Sequence, residues 1–184
     1  MIYSGNRAVR GLPPDRGMAS RGARLPLAVL FLLWGCTSPV APDTAAAAGA
    51  AAAAAGVTNS IVDLTNVERS RAGVSPLRVE GRLMRAAQLQ AEQMASLGRM
   101  EHVLSDGPYP APQDRLAAAG YRWQAFAENI AYGQRGAEDV TESWMGSAGH
   151  RANMLNGVYT ELGTGYAVDS RGRSYYVQVF GKPA

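Results

Sequence analysis

Apolar residues recur at helical spacing through much of this chain and alternate loosely with polar ones near its end. Ile61, Leu64 and Val67 follow Ser60, which has Asp63 three residues on, so the pattern predicts an amphipathic helix capped at Ser60 and finished by Gly73. Leu83, Ala87, Met94 and Leu97 mark one side of a second helix over residues 80–97, with Gly98 as its stop. Pro108, Pro110 and Pro112 then predict an irregular stretch, and Arg115-Leu116-Ala117-Ala118-Ala119 a short helix closed by Gly120. Residues 123–132 have strand character around Glu128-Asn129. Val140 and Trp144, four apart, give the apolar side of another helix, and a further short turn carries His150. Residues 160–168 and 174–180 read as two strands of a hairpin around Asp169-Ser170-Arg171-Gly172. Periodicity alone therefore predicts an α+β domain.

Composition divides the chain differently. The first 35 residues hold five Arg and one Asp, which leaves 13 basic against 14 acidic residues in the rest. The formal net charge of +3 thus belongs to the leader, and no basic patch with interleaved aromatics marks the body as a nucleic-acid binder. Arg16, Arg21 and Arg24 precede an apolar run of ten residues, 25–34, too short to span a bilayer and typical of a secretory signal. Residues 1–35 are read as that signal, with Met18 as a second candidate start. The run ends in Leu33-Trp34-Gly35-Cys36, which resembles a bacterial lipoprotein processing box although Trp34 stands where a small residue is usual. Lipidation of Cys36 and anchoring to a membrane are expected from it, the other reading being an ordinary secreted chain. Cys36 is the only cysteine, so no internal disulfide is available. Residues 36–56 are mostly Ala with Pro, Gly and Thr and read as a tether; residues 57–184 read as one monomeric domain with a single core.

The chain has two histidines, His102 and His150, both in segments that read as site loops, and Glu128-Asn129 lies between them among apolar neighbours. The segments around them, in order, are Leu64-Thr65-Asn66-Val67-Glu68-Arg69-Ser70-Arg71-Ala72-Gly73 with Pro76-Leu77, Ala86-Ala87-Gln88 with His102, and Ala127-Glu128-Asn129-Ile130-Ala131-Tyr132-Gly133. Trp144-Met145-Gly146-Ser147-Ala148-Gly149-His150-Arg151-Ala152-Asn153-Met154-Leu155 follows, then Glu161-Leu162-Gly163-Thr164-Gly165-Tyr166 and Val177-Gln178-Val179-Phe180-Gly181. Together they resemble the CAP superfamily of cysteine-rich secretory, antigen 5 and pathogenesis-related proteins, in its short bacterial form. The resemblance covers nearly all of the chain after residue 57.

It implies a three-layer α-β-α sandwich with a central antiparallel sheet, and a cleft holding two His and two acidic residues that in some members binds a divalent metal such as zinc. His102, Glu128 and His150 match three of those positions. Ser147 stands where many relatives carry the fourth, acidic residue, and Glu161 is the nearest replacement, Glu142 a poorer one. Asn129 and Trp144 complete the candidate cavity. Zinc on His102 and His150 with an open water position, and Glu128 as general base, would make a hydrolase of peptide or cell-wall substrates. The same residues would otherwise form a hydrogen-bonded cluster in a protein that binds an envelope ligand, lipid or protein. Because some relatives bind sterols or fatty acids, carriage of a small lipid is a third reading. Gly163 and Gly165 lack the strand-to-helix setting of a phosphate loop and read as close-packing glycines.

Overall fold

The computed structural model describes residues 2–6 and 44–184, so the apolar run of the leader and Cys36 lie outside the described residues. The elements in chain order are β1 Ile2–Asn6, α1 Thr44–Arg71, β2 Arg78–Val79, α2 Gly81–Leu97, α3 Pro112–Ala118, β3 Trp123–Tyr132, α4 Ala137–Gly146, α5 Ala148–Met154, β4 Glu161–Val168 and β5 Ser174–Pro183. One sheet of order β1-β3-β5-β4-β2 runs through the middle. Its pairs are antiparallel except β2 with β4, where Arg78 and Val79 run parallel to Glu161 and Leu162. The central sheet is antiparallel as expected, with this one two-residue parallel pair at its edge.

Strand alternation sends successive side chains to opposite layers. On β5, Tyr175, Val177 and Val179 join α2 and α3 in one core with Leu83, Ala87, Met94 and Leu116. Tyr176 and Phe180 face the other core, made with Ile61 and Val62 of α1, Val140 and Trp144 of α4 and Met154 of α5. The result is the expected three-layer α+β sandwich, with both faces of β3 buried.

Helix α1 corrects the expected helix start. It starts at Thr44, so Ser60 is a mid-helix residue and not a cap, and the boundary at residue 57 falls inside a helix. The reason is the Ala run itself: alanine has the highest helix propensity, and a helix already nucleated in the domain extends through it at little cost. Residues 44–53 are exposed, whereas Thr58, Ile61, Val62, Thr65 and Arg69 are buried. By length and composition α1 would span a membrane, but its second half belongs to the core.

The other helices follow their signals. Glu80 caps α2 through a bond from the Arg82 backbone N–H, and Gly98 ends it at φ 64°. The β4–β5 hairpin is closed by Asp169, whose Oδ1 accepts from the backbone N–H groups of Arg173 and Arg171, both at 2.9 Å, and whose Oδ2 accepts from Arg173 Nε at 2.7 Å. The Arg173 backbone bond, followed by the Arg173 and Arg171 contributions, holds the Asp169 carboxyl down at about 2. A folded pKa below the unfolded value means that the turn is strengthened above the ordinary carboxylate range and loses that support as pH falls through about 2. An NMR acid titration should thus show the turn amides of Arg171 and Arg173 holding their shifts to well below pH 4 (~) before they move, and Asp169→Asn should remove the late step.

Candidate functional site

The irregular stretch after α2 brings His102 under β3. His102 Nδ1 donates to Glu128 Oε1 at 2.7 Å, with the ring 5% exposed and the carboxylate fully buried. A third residue completes the arrangement: Arg115 of α3, itself 1% exposed, donates from Nη2 to Glu128 Oε2 at 3.0 Å and Oε1 at 3.2 Å. The same guanidinium binds the carbonyls of His102, Tyr109 and Pro110 at 3.0, 3.1 and 3.3 Å. Gln90 of α2, also buried, donates to the Glu101 carbonyl at 2.6 Å. The loop between α2 and α3 is therefore pinned from both helices, and the buried negative charge of Glu128 is matched by Arg115.

Asn129 follows Glu128 on the strand and so faces the opposite layer. Its side-chain amide donates to the His150 carbonyl at 3.2 Å and to Gln178 Oε1 at 3.0 Å, and its Oδ1 accepts from Asn153 at 2.9 Å. Gln178 in turn donates to Thr65 Oγ1 at 2.8 Å, which donates to the Ile61 carbonyl at 2.6 Å. This chain of bonds ties α5 and α1 to β3 and β5. His150, half-buried on α5, is thus fixed by its backbone on the face of the sheet opposite to that which Glu128 takes.

The other expected candidates lie elsewhere. Glu161 is buried on β4, where it accepts from Tyr121 Oη at 2.6 Å and pairs with Arg78. It is opposite Gly181, which is opposite Phe126, so two inter-strand steps of about 4.8 Å each separate it from the row of Glu128. Glu161 is therefore not the fourth acid of a cluster with His102. Burial, and then the Glu161 bond, push the Tyr121 hydroxyl well above its ordinary pKa, so it stays a neutral phenol that donates to Glu161. Ser147 is the N-terminal flanking residue of α5 without a side-chain capping bond, and Glu142 is exposed. Trp144 is core, its Nε1 donating to the Ile130 carbonyl of β3 at 3.3 Å.

A zinc centre would need free imidazole nitrogens and carboxylate oxygens directed to one point. Both Glu128 oxygens are taken by Arg115, and His102 Nδ1 by Glu128. Among the described residues no three His, Cys, Asp or Glu side chains are grouped so as to hold a metal ion. Glu128 is thus engaged with Arg115 and His102 through both of its oxygens.

The site roles of Arg115, Gln178 and Gln90 were not foreseen from the sequence. Arg115 had a signal: with Pro112 and Leu116 it occupies the buried stripe of a short helix, a position where an arginine needs a buried partner.

Residues 62–180 match the family described as CAP, cysteine-rich secretory protein family, and the chain belongs to it. It is 36% identical over 106 residues to Bacillus subtilis YkwD, covering 58% of this chain and 40% of that protein. To the Bacillus subtilis membrane protein YlbC it is 37% identical over 120 residues, covering 65% and 33%. The chain thus spans less than half the length of these relatives. Among solved structures it is similar to an extracellular SCP-domain protein from Bacillus anthracis, with a TM-score of 0.66 and 27% identity over 79% of this chain and 45% of that one. An outer surface protein from Borrelia burgdorferi shares the fold at a TM-score of 0.59 and 18% identity, covering 67% and 90%.

Proposed function

We propose that this is an exported envelope protein whose CAP domain acts by non-covalent binding and not by turnover. The observation that carries this reading is Glu128: buried, and bonded through both oxygens to Arg115 and through one to His102, its side chain is already engaged by protein partners. Export is supported by the Arg-rich start and apolar run of residues 16–34, and by the similarity to an extracellular protein of Bacillus anthracis.

The test has two arms. Purified full-length protein incubated with isolated cell-wall sacculi and with denatured protein substrate should release no product above the level of Glu128→Gln, while sedimenting with the envelope fraction. Product release that Glu128→Gln abolishes would overturn the reading in favour of the hydrolase. For anchoring, Cys36→Ser should move the protein from the membrane to the soluble fraction of its host; equal release of both forms would remove the lipid anchor from the account.

One observation favours lipid carriage as a second reading. A groove of about 400 Å³ between α1 and α2, floored by Ala51, Ala54, Ala55 and Met84 with Arg85 and Gln88 beside it, has the size of a small-molecule site and lies apart from His102. Displacement of a fluorescent fatty acid from the wild type, and not from Ala54→Glu, would support it.

A further inference from the structure

The two halves of the site lie on the two faces of β3. Glu128, with His102 and Arg115, lies on one face of this strand, and Asn129, bound to the His150 carbonyl, on the other. In the sheet order β1-β3-β5-β4-β2, only the five residues of β1 lie beyond β3 among the described residues. They pair antiparallel with it, Ile2 opposite Asn129, Tyr3 opposite Glu128 and Asn6 opposite Ala125. Residues 2–6 also fall within the segment read above as a leader. Cleavage at Gly35 would take this strand away and leave the outward N–H and C=O groups of residues 125–129 without partners. An edge in that state is a template for another extended chain. It is also a restricted one, because the loop pinned by Arg115 flanks one face and α5 the other, which suits a single strand better than the edge of a second folded sheet.

We propose that the outer edge of β3 is an acceptor for an extended peptide, which adds antiparallel to residues 125–129 between the His102 and His150 sides of the site. In the unprocessed chain, residues 2–6 occupy this acceptor. The proposal rests on the binding reading above and gives the ligand its chemistry: backbone hydrogen bonds supply the affinity, and the flanking side chains supply the selectivity.

The test uses the full 184-residue chain, made without export so that the leader stays attached, beside its Tyr3→Pro/Ser4→Pro variant. Successive residues of a strand point their N–H groups alternately toward and away from the neighbour, so one of the two prolines must remove a bond to β3. Hydrogen exchange of residues 123–132 is followed by mass spectrometry, with thermal melting as the check that the domain remains folded. The outward amides of residues 125–129 should exchange at least about tenfold faster in the variant. A synthetic peptide of residues 1–8 should restore their protection, and the same peptide with both prolines should not. Unchanged exchange in a folded variant, or failure of the peptide to restore protection, overturns the proposal. Either failure leaves the binding reading in place with another surface, whereas detection of hydrolysis would overturn that reading without touching the exchange result.

Discussion

Arg115→Met should cost about 3–5 kcal/mol, because it leaves a fully buried carboxylate with the imidazole of His102 as its remaining side-chain partner and frees the carbonyls of His102, Tyr109 and Pro110. Glu128→Gln should cost a comparable amount, since it strands the guanidinium instead. The double variant should lose clearly less than the two singles together, because removing the second charge relieves the burial that the first left uncompensated. Chemical denaturation of the three variants measures this. Additive losses would mean that Arg115 and Glu128 act on stability separately and that their contact is incidental. The loop should respond as well, with exchange of residues 99–111 rising in Arg115→Met more than in the sheet.

Gly163→Ala should be at least as damaging. A Cβ at this position of β4 would lie 2.0 Å from the Leu83 carbonyl carbon and 2.2 Å from the Met84 nitrogen, and helix backbone cannot swing aside as a side chain does. Gly165 has the same relation to α2 one strand repeat further, with a Cβ placed 2.3 Å from the Ala87 carbonyl oxygen. The two glycines let α2 lie directly on the sheet, so a single methyl must lift the helix along its length. The loss should be about 3 kcal/mol or more, seen as a fall in Tm of roughly 10 °C. Gly157→Ala is the control: nothing lies within 4 Å of its Cβ, and its Tm should stay near that of the wild type. A Tm for Gly163→Ala close to the control would show that α2 does not pack this tightly.

These positions also show what could be read from residues alone. Helix α2, strand β3 and the terminal hairpin were legible because apolar periodicity, Gly98 and the Asp169 turn all point the same way. The start of α1 was not, since Ser60 and Asp63 form a plausible cap and only propagation from the domain carries the helix back through the alanines. Strand β2 is two residues long and exists because Arg78 and Val79 meet β4, a contact with no local signature. In the site, the resemblance correctly put His102 with Glu128. Glu161, chosen by its segment as the nearest replacement for the fourth acid, sits in another row of the sheet, because a segment does not reveal strand register. Arg115 and Arg69 were passed over for a common reason. Arginines in helices are usually solvated, yet Arg69 is 1% exposed and donates to the carbonyls of Ser75, Met154, Asn156 and Tyr159, joining α1 to the segment after α5. Burial of this kind is decided by tertiary packing.

The proposed binding role has His102, Glu128 and Arg115 act as an ion-paired cluster and not as a metal centre. Thermal unfolding of the full-length protein in excess Zn²⁺ and in chelator, at neutral pH where free imidazoles would bind the metal, tests it most directly. Equal Tm values in the two conditions, and no difference between wild type and His150→Ala in their response, are expected. A rise of several degrees with Zn²⁺ (~3 °C or more) that both His102→Ala and His150→Ala abolish would contradict the account and return the two histidines to one coordination shell.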